Sequence, residues 1–163
     1  MVSLTRILVF LLLVSTALAD PFTVRFSPRG GCTDLVCCEV AKAKTELFVQ
    51  SYQLTSPQIA DAIVAAFKRG VQVRVVLDRS QESGKASRLG LLRAAGVPVR
   101  IDRAHAIHHN KVIVIDGATV VTGSFNFTAS AELRNAENCL VVRDQELARE
   151  YRADYLKHEE HAK

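Results

Sequence analysis

Residues 109–128 read HNKVIVIDGATVVTGSFNFT, and within this stretch two β-branched runs flank Gly117-Ala118. β-Branched side chains suit extended backbone. A glycine that opens a two-residue loop suits a type II′ hairpin turn. The pattern predicts two antiparallel strands with Asp116 opposite Thr119. Continued along the strands, that register sets His109 opposite Asn126 and Lys111 opposite Ser124. Side chains alternate across a strand, so His109 and Lys111 share one face. Cross-strand neighbours lie roughly 5 Å apart at Cβ. An imidazole, an ammonium, a hydroxyl and an amide are therefore expected on one patch. Asp116 has the opposite parity from Lys111 and is expected to support the scaffold rather than face that patch. Phe125 and Phe127 alternate with Ser124 and Asn126 and should pack inward.

The remaining chain alternates strand and helix signals. Phe22–Phe26 reads as a short strand, Thr33 as the cap of a helix to about Lys44, and Leu47–Tyr52 as a second strand. Ser56-Pro57 is a helix start, with an N-cap hydroxyl and proline at the first helical position. Ile59, Ile63 and Phe67 recur on one face of that helix, and Gly70 supplies its left-handed stop. Val71–Leu77 is almost continuously apolar, as suits a strand covered on both sides. A helix is expected from near Lys85 to Ala95, then a strand at Val97–Ile101, where Pro98 points to a sheet edge. Asn138–Val142 reads as a further strand. Asp144 to about His158 reads as a last helix, with Leu147, Tyr151 and Tyr155 on one stripe. The fold class predicted is α/β: a single layered domain with a mixed β-sheet flanked by helices.

The first 19 residues have a different character. Arg6, the apolar run Ile7–Val14 and the small residues Ala17-Leu18-Ala19 follow the order of a secretory signal, with cleavage expected before Asp20. The apolar run is well short of the roughly 20 residues a membrane-spanning helix needs. The protein is therefore expected to be exported, to a periplasm or out of the cell, as a single domain over residues 20–163. Removing Arg6 from the 21 basic residues leaves 20 against 17 acidic ones, a net charge of +3. That charge is compatible with a nucleic-acid partner without demanding one. Export permits disulfides, but the spacing of Cys32, Cys37, Cys38 and Cys139 decides no pairing and matches no zinc motif.

The patch on the hairpin suits attack on a phosphodiester. An imidazole can form a phosphoenzyme and so split one displacement into two easier ones. An ammonium and an amide can hold the non-bridging oxygens in the transition state. No Asp/Glu/His cluster that would hold magnesium or zinc is visible in the sequence. Neither a metal nor another cofactor is therefore expected, and the positive field would come from side chains. His105 and His108 flank His109 and read as loop residues. Lys85 and Arg88 could contact a nucleic-acid backbone or simply start a solvated helix.

His109-x-Lys111-x-x-x-x-Asp116, followed by Gly123-Ser124, resembles the HKD motif of the phospholipase D superfamily. The GSFNFT string, the NAEN segment at 135–138 and the order of elements around AAFKRGVQVRVVLD extend the likeness over nearly the whole mature chain. They resemble most the small secreted Nuc-type endonucleases. The resemblance implies roles for six residues. His109 would be the nucleophile or general acid. Lys111 and Asn126 would be phosphate ligands, and Ser124 the motif serine beside the phosphate. Glu137 would orient the histidine, and Asp116 is the motif aspartate. Most superfamily members carry two such motifs, so a single copy implies a homodimer with a shared site.

The function this implies is metal-independent hydrolysis of DNA, and of RNA as a further candidate. One alternative is a phospholipase or cardiolipin hydrolase, which should show an exposed apolar rim or an interfacial helix; neither is evident in the sequence beyond the leader. The other is a non-catalytic nucleic-acid-binding module, against which the intact His109, Lys111, Asn126 and Glu137 argue.

Overall fold

A computed structural model describes residues 20–163. The segment read as an export signal lies outside the described residues. Seven strands form one sheet: β1 (Phe22–Ser27), β2 (Glu46–Ser51), β3 (Gln72–Asp78), β4 (Val99–Asp102), β5 (Lys111–Ile115), β6 (Thr119–Gly123) and β7 (Glu137–Arg143). Their spatial order is β1-β7-β6-β5-β2-β3-β4. β2, β3 and β4 run parallel, whereas β5, β6, β7 and β1 are joined by antiparallel pairings. The sheet is thus mixed, as predicted.

Helices cover both faces. Helix α1 (Cys32–Lys42), α2 (Pro57–Lys68) and α3 (Leu89–Ala94) bury Val36, Val40, Ile59, Ile63 and Leu92 against Leu47, Val49, Val75, Ile113 and Val121. On the other face α5 (Gln145–His161) sets Ala148 and Tyr155 against Phe48, Val76, Val112, Val114 and Val120. Strand alternation divides Phe48 from Leu47 and Val49, and so feeds both layers from one strand. Phe48 and Tyr155 stack with centroids 4.8 Å apart.

The caps follow the sequence in part. The Ser56 hydroxyl accepts from the Ile59 N–H with Pro57 at the first helical position, and Asp144 caps α5 by accepting from Leu147. Helix α1 differs from expectation. It starts after Gly31 with no side-chain cap of its own, and the Glu132 carboxylate from α4 (Ala129–Leu133) accepts from the Gly31 and Thr33 N–H groups. An anion at a helix N-terminus satisfies these donors as a local hydroxyl would. All four cysteines are free thiols. Burial raises Cys37 to about 11 and Cys139 to about 12, so these two are unreactive. At the β4 edge, Ile101 and Lys163 exchange both backbone hydrogen bonds.

Candidate active site

The sheet topology gathers its chemistry at one end. The carboxyl ends of parallel β2, β3 and β4 lie at Ser51, Asp78 and Asp102. The antiparallel neighbours put Lys111 at the start of β5, Gly123 at the end of β6 and Glu137 at the start of β7. Ligand sites in open α/β sheets favour this end. Here His109, Asn110, Lys111, Ser124, Asn126 and Glu137 line an open cleft of about 550 Å³, together with Thr122, Gly123 and Tyr151.

The hairpin that builds the cleft forms, but in a different register from the predicted one. Ile115 pairs with Thr119, Val114 with Val120 and Ile113 with Val121. The loop holds three residues, not two. Asp116 and Gly117 both take positive φ, 52° and 61°, and the Ala118 N–H donates to the Ile115 carbonyl. Two left-handed central residues are the type I′ solution, which aspartate followed by glycine favours. Continuing the observed register sets Lys111 across from Gly123 rather than Ser124. Gly123 has φ 145°, and a Cβ there would collide with the Asn138 carbonyl. Beyond it, Ser124 and Asn126 leave the strand toward the cleft while Phe125 and Phe127 are buried in the core, as their alternation predicted.

Asp116 lies at the far end of β5, away from the cleft. Its carboxylate accepts from the N–H groups of Lys44, Thr45 and Glu46 and from the Thr45 hydroxyl. Burial would raise its pKa, but these hydrogen bonds outweigh burial and lower it. The side chain thus ties the hairpin turn to the start of β2, in keeping with its predicted scaffold role.

Within the cleft His109 is exposed and Lys111 is buried. The Lys111 ammonium donates to the His109 carbonyl at 2.6 Å and lies 5.2 Å from the centroid of the Tyr52 ring. Tyr52 also packs against the His109 ring at 4.8 Å. Burial pushes the Lys111 pKa below the ordinary lysine value, and the Glu137 carboxylate opposes that shift. The Ser124 hydroxyl accepts from the Asn138 N–H at 3.1 Å, which leaves its own proton available to donate. Asn126 carries a buried amide oxygen without a hydrogen-bond partner. Glu137 accepts from the Asn135 amide, and no hydrogen bond joins it to His109. Five of the six predicted residues therefore share one cleft, and Asp116 does not. Tyr52 was not foreseen. It follows β2, and its N–H donates to the Asn110 carbonyl, so only the β2–β5 pairing brings it to His109.

His108 lies in the β4–β5 loop, as expected, but it does not face solvent. It is buried, its N–H donates to the Asp78 carboxylate, and its Nδ1 lies 2.9 Å from Asp102 Oδ2. His105 Nδ1 lies 2.8 Å from the same oxygen, and His158 Nδ1 lies 3.8 Å from it. An Asp/His cluster thus exists that the linear sequence did not reveal. Of the two cations considered as backbone ligands, Arg88 is partly engaged, donating from Nε to the Thr55 carbonyl, and Lys85 is exposed.

Residues 36–158 match the family described as cardiolipin synthase, PLD-like domain. A phospholipase D of Rickettsia conorii is 45% identical over 131 residues, covering 80% of this chain and 66% of the relative. A mitochondrial cardiolipin hydrolase of Xenopus tropicalis is 35% identical over 114 residues, covering 70% of this chain and 54% of that one. This chain thus spans between about half and two thirds of the length of these two relatives. Among solved structures, the phospholipase D family member Nuc of Salmonella typhimurium superposes with a TM-score of 0.83 at 37% identity, over 87% of this chain and 95% of that one. NucT of Helicobacter pylori shares the fold, with a TM-score of 0.78 at 22% identity, over 86% of this chain and 98% of that one. With residues 36–158 matched by the family and 87% of its length by a family structure, the chain belongs to the phospholipase D superfamily, whose members are phosphodiester hydrolases.

Proposed function

We propose that the chain is an exported endonuclease that hydrolyses DNA, and RNA as a second substrate, through a phosphohistidine on His109. The observation that carries this reading is the cleft itself: one exposed imidazole set beside a buried ammonium, a hydroxyl and an amide. A ring nitrogen of His109 attacks phosphorus and the bond to the leaving oxygen breaks. Lys111, Ser124 and Asn126 hold the non-bridging oxygens as charge shifts among them. The leaving oxygen needs a proton, and a second imidazole is the natural source. His109 is the only histidine in this cleft, so the proposed site is shared by two copies and the second copy's His109 supplies the proton. That imidazole then takes a proton from water, whose oxygen attacks phosphorus and breaks the P–N bond. Glu137 is assigned to orienting His109 in the assembled site, and Asp116 to holding the hairpin. No metal or cofactor takes part in these steps.

Nucleic acid is favoured over lipid by the cleft's polar lining, in which Tyr151 and Val112 are the sole large apolar contributors among the described residues, and by a match that covers 95% of Nuc. A lipid reading has one structural observation in its favour. Phe22, Val24 and Phe26 are exposed on one face of edge strand β1, 66%, 41% and 64% respectively, an apolar surface the sequence reading did not anticipate. No helix among the described residues is long and apolar enough to cross a membrane. The deciding experiment offers plasmid DNA, RNA and cardiolipin vesicles to the purified protein, with and without EDTA. Cleavage of nucleic acid that persists in chelator is expected. Release of phosphatidic acid with DNA untouched would overturn the substrate. Loss of DNA cleavage in EDTA with rescue by magnesium would overturn the mechanism. Export is tested by the mass of the secreted protein, whose first residue should be Asp20.

A further inference from the structure

Four of the chain's five histidines stand away from the cleft, in a second group of their own. His105 and His108 come from the β4–β5 connection, while His158 and His161 come from the last turns of α5. His158 packs edge to face against His105 at 4.9 Å and His108 at 5.0 Å, and His161 lies tilted 5.6 Å from His105. At their centre is the Asp102 carboxylate, fully buried at the end of β4. Burial alone would raise its pKa, but hydrogen bonds from the His105 side chain and from the His105 and Ala104 N–H groups hold it at about 2.

One ligand-capable atom from each of Asp102, His105, His108 and His158 lies within 4.8 Å of every other. We propose that these four residues bind one divalent transition-metal ion of the zinc class. Three imidazoles and one carboxylate form a donor set suited to zinc, cobalt or nickel and poorly suited to magnesium or calcium. Metal–nitrogen and metal–oxygen distances of about 2.0–2.1 Å give tetrahedral edges of about 3.3 Å. The 2.8 and 2.9 Å separations from Asp102 are already shorter than that edge, and the 3.8 Å one exceeds it by about half an ångström.

A second observation points to a missing ligand. His158 Nδ1, one of these donor atoms, is buried without a hydrogen-bond partner, and His108, 2% exposed, uses Nδ1 on Asp102 and leaves its other ring nitrogen, Nε2, without one. Buried ring nitrogens without partners are unusual in folded proteins. His105 is exposed at the rim and leaves a route for the ion. The consequence is positional. The ion would fasten the 103–110 connection to α5, and His109 follows His108 directly. It would act on where the proposed nucleophile sits, while the chemistry stays with side chains in the cleft.

The test uses untagged protein stripped with EDTA and desalted. Titration calorimetry with Zn²⁺ alone should show one ion per chain. Co²⁺ should give the visible absorption of a tetrahedral site. Zn²⁺ should also raise the thermal midpoint. His105→Ala and His158→Ala, at the rim and on the helix surface, should each weaken zinc binding at least tenfold, the lower end of what even an outer-shell partner is worth. His109→Ala should bind zinc as the parent does. Folded parent protein that takes up no zinc, or unchanged affinity in both rim variants, would overturn the site. So would loss of binding in His109→Ala alone, which would place the ion in the cleft. Zinc binding and phosphodiester cleavage are read separately, so failure of one leaves the other standing.

Discussion

Asp116 belongs to the sequence motif, yet the structure puts it at the wrong end of β5 for chemistry. Replacing it should therefore cost stability and leave turnover intact. Its carboxylate accepts from three backbone N–H groups and one hydroxyl. Hydrogen bonds to a charged group contribute about 1.5–3 kcal/mol each when buried. This side chain is half-exposed, and water can replace part of each bond, so about 0.5–1 kcal/mol apiece is the appropriate scale. Alanine at φ 52° adds about 1 kcal/mol of left-handed strain. Asp116→Ala should then lose about 3–5 kcal/mol. Asp116→Asn tolerates the left-handed backbone and keeps one acceptor, and should lose about 1 kcal/mol. For a domain of this size the alanine variant should melt at least about 10 °C lower. The folded-state pKa of Asp116 lies below its unfolded value. Its contribution is thus full above the unfolded value near pH 4 and is lost as pH falls through the folded one. The gap between parent and Asp116→Ala should accordingly narrow below about pH 4, toward the roughly 1 kcal/mol of backbone strain that does not titrate. Circular-dichroism melts at pH 7 and pH 3, with turnover measured well below both midpoints, make the test. An alanine variant with an unshifted melt and no turnover would refute the scaffold role.

The remaining expectations concern the cleft. His109→Ala should abolish phosphodiester cleavage with an unchanged melt, because its ring is exposed, whereas Lys111→Ala and Asn126→Ala should each slow turnover by about a hundredfold or more. His108→Ala should do the reverse of His109→Ala, lowering the melt by removing a buried hydrogen-bonded ring while turnover at low temperature persists; equal loss of activity in both would remove His109 as the nucleophile. Equal amounts of unfolded parent and His109→Ala chains, mixed and refolded, should recover about a quarter of full activity if two copies share one site, and about a half if each works alone.

Much of this architecture was legible because its signals are local. Ser56-Pro57, the apolar Val71–Leu77 run and the β-branched hairpin each declare themselves within a few residues. What failed did so for identifiable reasons. The hairpin register slipped because Asp116, not Gly117, opens the turn, and its left-handed φ is held by donors some 70 residues earlier. The cap of α1 was misassigned to Thr33 because its true acceptor, Glu132, lies about 100 residues away. Tyr52 joined the site only through strand pairing. Asp102, His105 and His108 recur every third residue, a spacing the chain displays openly. Their meaning depended on α5 delivering His158, which no local pattern reports.

The two edges of the sheet have unequal fates. On one side Lys163 occupies the hydrogen-bonding groups of Ile101, which shortens the free edge of β4. On the other, no described strand pairs with the outer side of β1. A sheet with two open edges can add neighbours without limit, the geometry of fibres. A sheet with one open edge can be extended once, by a second copy presenting the same edge, and the pair then has no free edge left. Among the described residues β1, with Phe22 and Phe26 in solvent, is therefore the more accessible of the two edges to an added strand.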